Sequence, residues 1–197
     1  MASALENRCA VAVLAAILAL LRHDSAVAAD CAATLYAARI TSANAWHDLV
    51  TEPTQSEFVD AYLAVAALSA QLNGDRSGAL AWDVEGQLGY NFGDQSHWEF
   101  NLGAGPRWRS FPWNDAIATT AAFRIGLSMA SETPELEVEL EGSTEQLLIY
   151  WVVELTFSPP RSAWGVSLRL HHRSPAFGLL GDAGGMNALG VGVRRAF

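Results

Sequence analysis

The sequence contains no lysine, few charged residues and only two cysteines. All 12 basic residues are arginines, and charged residues make up 17% of the chain, below the roughly 25% of typical soluble domains. Acidic residues number 21, the net charge is -9, and no basic cluster is present, which argues against a nucleic-acid partner. Cys9 and Cys31 form no CxxC pair, so a zinc site, an iron–sulfur cluster and a disulfide framework all lack support. The 51% hydrophobic content argues against disorder, and a length of 197 residues favours one domain.

Residues 1–28 have the three-part pattern of a secretory signal peptide. Arg8 supplies a positive flank, an apolar run of about 13 residues follows from Cys9 to Leu21, and Ala26-Val27-Ala28 forms a small-residue cleavage site. The run is shorter than the ~18–20 residues of a membrane-spanning helix, although an uncleaved anchor is the alternative. We expect cleavage after Ala28, which leaves residues 29–197 as the mature domain.

The mature chain alternates between apolar and polar residues, which is the period of a β-strand. Eight such runs lie near residues 33–40, 60–70, 79–92, 97–109, 117–130, 145–158, 163–174 and 186–197. In the third run, Trp82 and Val84 share one face, whereas Asp83 and Glu85 share the other. The segment 59–72 is rich in alanine, and a helix is the alternative there.

These runs predict an all-β fold, namely an eight-stranded antiparallel transmembrane β-barrel. Most of them have the ~9–11 residues that a tilted membrane strand needs. One face of these runs is rich in Trp, Phe and Leu and would rarely point to water. A soluble sandwich or lipocalin-like barrel, whose apolar face points inward, is the alternative. Eight strands leave a lumen filled by side chains, so we expect no diffusion pore. The predicted lumen face carries Asp83, Glu85, Glu99, Arg107, Arg109, Arg124, Glu154, Arg169 and Arg173.

The segments between the runs and the C-terminus favour the bacterial outer membrane. Turns at Asn73-Gly74-Asp75, Pro112 and Pro159-Pro160 fall on the periplasmic side if the mature N-terminus is periplasmic, and the longer segments 41–58 and 131–144 then lie outside. The last run alternates and ends in the phenylalanine Phe197. Such an ending resembles the recognition signal of bacterial outer-membrane proteins. We therefore expect the barrel-assembly machinery to be a partner.

Six glutamates lie between Ser131 and Glu145. The simpler interpretation is a solvated loop. The functional alternative is contact with divalent cations that bridge lipopolysaccharide phosphates, although no EF-hand spacing is present.

The seventh run contains a candidate catalytic pair. By parity, His172 and Ser174 continue the lipid-facing side of Leu168 and Leu170, near the outer end of the strand. A serine beside a histidine base is the arrangement that activates a hydroxyl for acyl transfer. However, His-x-Ser is frequent by chance, and an interfacial histidine with a strand-ending serine is the alternative.

The run Leu170-His-His-Arg-Ser174, the terminal strand and the overall size resemble the PagL family of outer-membrane lipid A 3-O-deacylases. A closer likeness is to proteobacterial barrel proteins labelled acyloxyacyl hydrolase. It rests on His97-Trp-Glu-Phe-Asn101, Phe111-Pro-Trp-Asn114, Pro134-Glu-Leu-Glu137, Val153-Glu-Leu-Thr156 and His171-His-Arg-Ser174. The resemblance implies that Ser174 is the nucleophile and His172 the base, with lipid A as substrate and neither metal nor organic cofactor.

The sequence departs from the PagL pattern at two positions. Pro175 replaces the asparagine that follows the serine and has no amide donor of its own. No carboxylate lies about a dozen residues later, where Asn187 is the candidate to orient the histidine. The only acid after Ser174 is Asp182, in a glycine-rich loop. A non-enzymatic barrel that kept the fold is therefore the alternative function.

Overall fold

The chain forms one closed antiparallel sheet. The computed structural model describes residues 31–42, 57–72 and 78–197, and the strands pair in chain order until β8 pairs with β1. The elements are β1 (Cys31–Thr41), β2 (Phe58–Gln71), β3 (Leu80–Gly93), β4 (His97–Trp108), β5 (Ala118–Ala130), helix α1 (Glu135–Glu141), β6 (Leu147–Ser158), β7 (Trp164–Ser174) and β8 (Met186–Ala196). The predicted signal peptide, residues 43–56 and the Asn73-Gly74-Asp75 turn lie outside the described residues. Within the described ranges, no helix has the length and hydropathy to cross a membrane.

All eight predicted runs are strands, including the alanine-rich β2. The helical alternative for residues 59–72 is wrong, because β2 is hydrogen-bonded to β1 and β3 along most of its length. Its inward side chains, among them Leu63 and Val65, are buried. Pairing with two neighbours outweighs the intrinsic helix preference of alanine here.

Large apolar side chains cover the outside of the barrel. Trp82, Phe100, Leu102 and Ile125 each remain at least half exposed. A soluble barrel or sandwich would enclose this face, so the soluble alternative does not fit. The outward belt is instead what a membrane barrel presents to lipid.

The middle of the lumen contains a compact network of buried charges. Three carboxylates face three guanidinium groups: Asp83, Glu85 and Glu154 with Arg107, Arg124 and Arg169. Arg107 Nε donates to Asp83 at 2.6 Å, and Arg169 donates to both Glu85 oxygens at 2.8 and 2.9 Å. The three carboxylates pair with the three guanidinium groups. These side chains fill the lumen, as the sequence predicted.

The outer half of the lumen is closed by α1, which the sequence did not predict. Leu136 packs with Ile40, Leu63 and Met186. Glu137 is buried, with Oε1 3.3 Å from an Arg173 guanidinium nitrogen. The interpretation of the acidic segment as a solvated loop is therefore wrong for Glu137, although Glu132, Glu135, Glu139 and Glu145 are exposed.

Candidate active site on the outer wall

Strand β7 places the two candidate catalytic residues on the outside of the barrel. His171 and Arg173 point into the lumen and are fully buried, where His171 Nε2 lies 2.8 Å from Glu99 Oε1. The alternation of β7 therefore directs His172 and Ser174 outward, as predicted.

The antiparallel register brings Asn187 of β8 directly beside His172. Their side chains form a hydrogen bond of 2.7 Å between His172 Nδ1 and Asn187 Oδ1. An amide oxygen only accepts, so Nδ1 of His172 is the donor. Nε2 of the neutral ring is then left with the lone pair that a general base needs.

Trp151 of β6 fixes the other side of the histidine. Its ring stacks on that of His172 with centroids 4.4 Å apart and an interplanar angle of 29°. Between Trp151 and Asn187, His172 retains only 6% exposure. The ring is thus oriented from two neighbouring strands, which is the kind of support that catalytic bases receive.

Ser174 is half-buried at the outer end of β7, opposite Ile149 of β6. Two positions along one strand face separate the Cβ atoms of Ser174 and His172 by roughly 7 Å. Among the described residues, no hydrogen bond joins the Ser174 hydroxyl to the His172 ring. The two side chains therefore share one face of β7 without a direct hydrogen bond.

The chain turns sharply after Ser174. Ala176 and Phe177 adopt left-handed conformations with φ of 50° and 59°, and the carbonyl of Pro175 accepts hydrogen bonds from the amides of Leu179 and Leu180. Since Pro175 has no N–H, the first amide available after the serine is that of Ala176. Asp182 is exposed in the following loop.

Glu137 joins α1 to both ends of the β7–β8 connection. Besides its ion pair with Arg173, it accepts hydrogen bonds from Thr144 Oγ1 at 2.6 Å and from the amide of Gly185 at 3.1 Å. Gly185 has φ of 117°, and a Cβ there would lie 2.3 Å from the Arg173 carbonyl oxygen. Burial raises the pKa of Glu137, which the nearby Arg173 partly offsets. This contact holds the segment that begins at Ser174.

A cleft of about 610 Å³ lies at the barrel rim near Ser174. Its lining combines the apolar side chains of Met129, Leu147 and Leu180 with the polar side chains of Glu145 and Gln146. Leu147 precedes Ile149, the register partner of Ser174, by one outward position on β6. The cleft is thus amphipathic, and Ser174 itself does not line it.

Two supporting residues were absent from the sequence prediction. The stacking of Trp151 on His172 depends on the β6–β7 register, which no local pattern encodes. The inward orientation of Glu137 was hidden among neighbouring glutamates; the i, i+4 spacing of Leu136 and Leu140 is the signal that could have identified a helix there. Across residues 31–42, 57–72 and 78–197, no three His, Cys, Asp or Glu side chains are arranged to hold a metal ion.

Comparison with known proteins shows the fold. The sequence matches no protein-family model and no curated protein. Among solved structures, the outer membrane enzyme PagL is similar with a TM-score of 0.56 and 12% identity, over 84% of this chain and 99% of that chain. Neisserial surface protein A has a TM-score of 0.49 and 13% identity, over 85% of this chain and 97% of that one. The likeness to PagL thus shows the closed eight-stranded fold of outer-membrane barrels, as the sequence predicted for the architecture.

Proposed function

We propose that this protein is an outer-membrane ester hydrolase that removes an acyl chain from lipid A. Ser174 is the nucleophile, His172 the general base, and Asn187 the residue that orients His172. The observation that carries the proposal is the 2.7 Å bond from His172 Nδ1 to Asn187. It directs the basic Nε2 away from β8, on the face shared with Ser174.

The reaction follows from these roles. Ser174 Oγ attacks the carbonyl carbon of the acyl ester while its proton passes to His172 Nε2. The tetrahedral intermediate collapses, the ester C–O bond breaks, and His172 returns the proton to the departing sugar hydroxyl. Water then attacks the acyl-enzyme with His172 as base, which releases a fatty acid and restores Ser174. No step needs a metal or organic cofactor.

The outward position of the site suits a lipid substrate. The lumen is filled by charged side chains, so a substrate has no path through it. A lipid in the outer leaflet reaches the wall by lateral diffusion instead. The resemblance to PagL in the region of Leu170 to Ser174 supports lipid A as the acylated lipid.

Mass spectrometry of lipid A tests the proposal. Cells that express the protein should lose one hydroxyacyl mass, and Ser174→Ala or His172→Ala should restore the full mass with the barrel still folded. Ser110→Ala, which alters an exposed serine beyond β4, is the matched control and should leave deacylation intact. Unchanged lipid A with the folded wild-type barrel in the membrane would refute the proposal.

A non-enzymatic barrel is the second candidate, and Pro175 is the observation that favours it. Pro175 removes the amide nearest the serine, and among the described residues it is Asn187, not a carboxylate, that supports His172. Removal of a triad member typically costs several orders of magnitude in rate. This candidate predicts identical lipid A spectra for wild type and Ser174→Ala.

A further inference from the structure

Charged side chains are rare on the lipid-facing surface of the described strands. By the alternation of each strand, only Arg39, Asp60 and Arg195 point outward there. Arg195 lies at the periplasmic end, with its guanidinium 5.3 Å from the ring centre of Trp164. Arg39 and Asp60 lie at the opposite end, which is the end that carries the candidate active site.

Arg39 is held by aromatic rings with part of its guanidinium free. The group lies 5.5 Å from the ring centres of both Phe58 and Tyr62, and Nε donates to the Val59 carbonyl at 3.0 Å. Its nearest approach to Asp60 is 3.8 Å, and both side chains are substantially exposed. The terminal N–H groups have no hydrogen-bond partner among the described residues. They form a fork suited to bidentate contact with a phosphate.

An apolar groove of about 390 Å³ begins at Arg39 and runs along the barrel wall. The small side chain of Ala37 leaves the space. Leu189 and Val191 line the β8 side, and Tyr62 and Phe92, whose rings stack at 5.4 Å, line the other side. The groove thus combines one cation at its outer end with apolar walls that face lipid.

The strand register places this groove beside the candidate active site. Asn187 pairs with His172 of β7 on one side and with Thr41 of β1 on the other. Arg39 is the next outward residue on β1 and pairs with Leu189. Two strand spacings, roughly 10 Å, separate β1 from β7, a distance that the headgroup of one glycolipid can span.

We propose that Arg39 and the groove form a lipid-anchoring subsite. Arg39 binds a phosphate of a glycolipid, and the groove holds one of its acyl chains while an ester of another chain reaches Ser174. The occupant is a phosphorylated, multi-acylated glycolipid, because a cation at the mouth of an apolar groove complements an anionic headgroup with a hydrocarbon chain. The inference rests on the proposed function in taking the ester-bearing lipid as the ligand.

Binding to the Ser174→Ala barrel in lipid nanodiscs tests the subsite without turnover. The probes are bisphosphorylated lipid A and the same lipid A after enzymatic dephosphorylation. Arg39→Gln should weaken binding of the phosphorylated probe by about fivefold or more and leave the dephosphorylated probe within about twofold. Ala37→Phe, which fills the groove, should weaken binding of both probes. Arg195→Gln, the outward arginine at the other end, is the matched control and should change neither affinity.

Three results would overturn the subsite. They are equal affinity of Arg39→Gln and its parent for the phosphorylated probe, equal loss on both probes, and no effect of Ala37→Phe. If the parent barrel proves to be a dimer and Ala37→Phe a monomer, the groove is an interface with a second copy of the chain, and the proposal is overturned as well. If Arg39→Gln weakens binding but the wild type does not hydrolyse lipid A, the proposed function is refuted and the subsite stands. If the wild type hydrolyses lipid A but Arg39→Gln binds it with unchanged affinity, the proposed function stands and the subsite is refuted.

Discussion

Glu154→Gln should destabilise the barrel strongly, because Glu154 is the carboxylate shared by all three central arginines. Its Oε1 accepts from Arg107 at 2.7 Å, and its Oε2 pairs with Arg169 and lies 3.7 Å from Arg124. The side chain is fully buried. Glutamine preserves the volume, so no cavity forms and the change isolates the charge.

The size of the effect follows from the charge balance. The wild-type cluster has three carboxylates and three guanidinium groups, whereas Glu154→Gln leaves one buried positive charge without a counterion. Breaking a buried ion pair in this way typically costs about 3–5 kcal/mol. A second substitution, Arg107→Gln, would restore neutrality. The double variant should therefore lose less than the sum of the single variants.

Urea unfolding of the refolded barrel in detergent micelles, followed by tryptophan emission, measures the loss. The midpoint should fall while the slope stays constant. Glu139→Gln, an exposed position on α1, is the control and should change the free energy of unfolding by less than about 0.5 kcal/mol. A loss below about 1 kcal/mol for Glu154→Gln, or strict additivity with Arg107→Gln, would show that water or other groups compensate the charge and would refute the reasoning.

Three further predictions concern the outer end of the barrel. Asn187→Asp should raise deacylation at least tenfold, because a carboxylate binds the N–H of His172 more strongly than an amide does; a lower initial rate with labelled lipid A would contradict the orienting role. The raised pKa of Glu137 means that its contribution to stability is fully present below the ordinary carboxyl pKa and is lost as pH rises through the raised value. As pH rises over that interval, the urea midpoint of the wild type should therefore fall, and that of Glu137→Gln should fall less. Parallel pH profiles of the two proteins would contradict this role of Glu137. His171→Ala should lower the urea midpoint while leaving deacylation in the folded fraction, and loss of activity in a stable His171→Ala barrel would invert the assigned faces of β7.

The alternation of the sequence determined the strands and most of their faces. Successive side chains of a strand point to opposite sides, so residues such as Trp82 and Asp83 were assigned from local order alone. The prediction was weakest for β2, where alanines occupy both faces and the inward residues Leu63 and Val65 are apolar. On β3 to β7 the polar residues of each strand identify the face that points into the lumen, but β2 lacks this contrast. Pairing with β1 and β3 decides its conformation instead.

Which residues meet across the barrel was decided only by the tertiary structure. The contacts of His172 with Asn187 and Trp151 depend on the registers of β7 against β8 and β6. The position of Arg39 two strands away depends on closure of β1 against β8. Local period fixes the direction of a side chain, because it follows from backbone geometry within one strand. Register and closure arise from hydrogen bonds between segments far apart in the chain, and so they set the neighbours on which the candidate site depends.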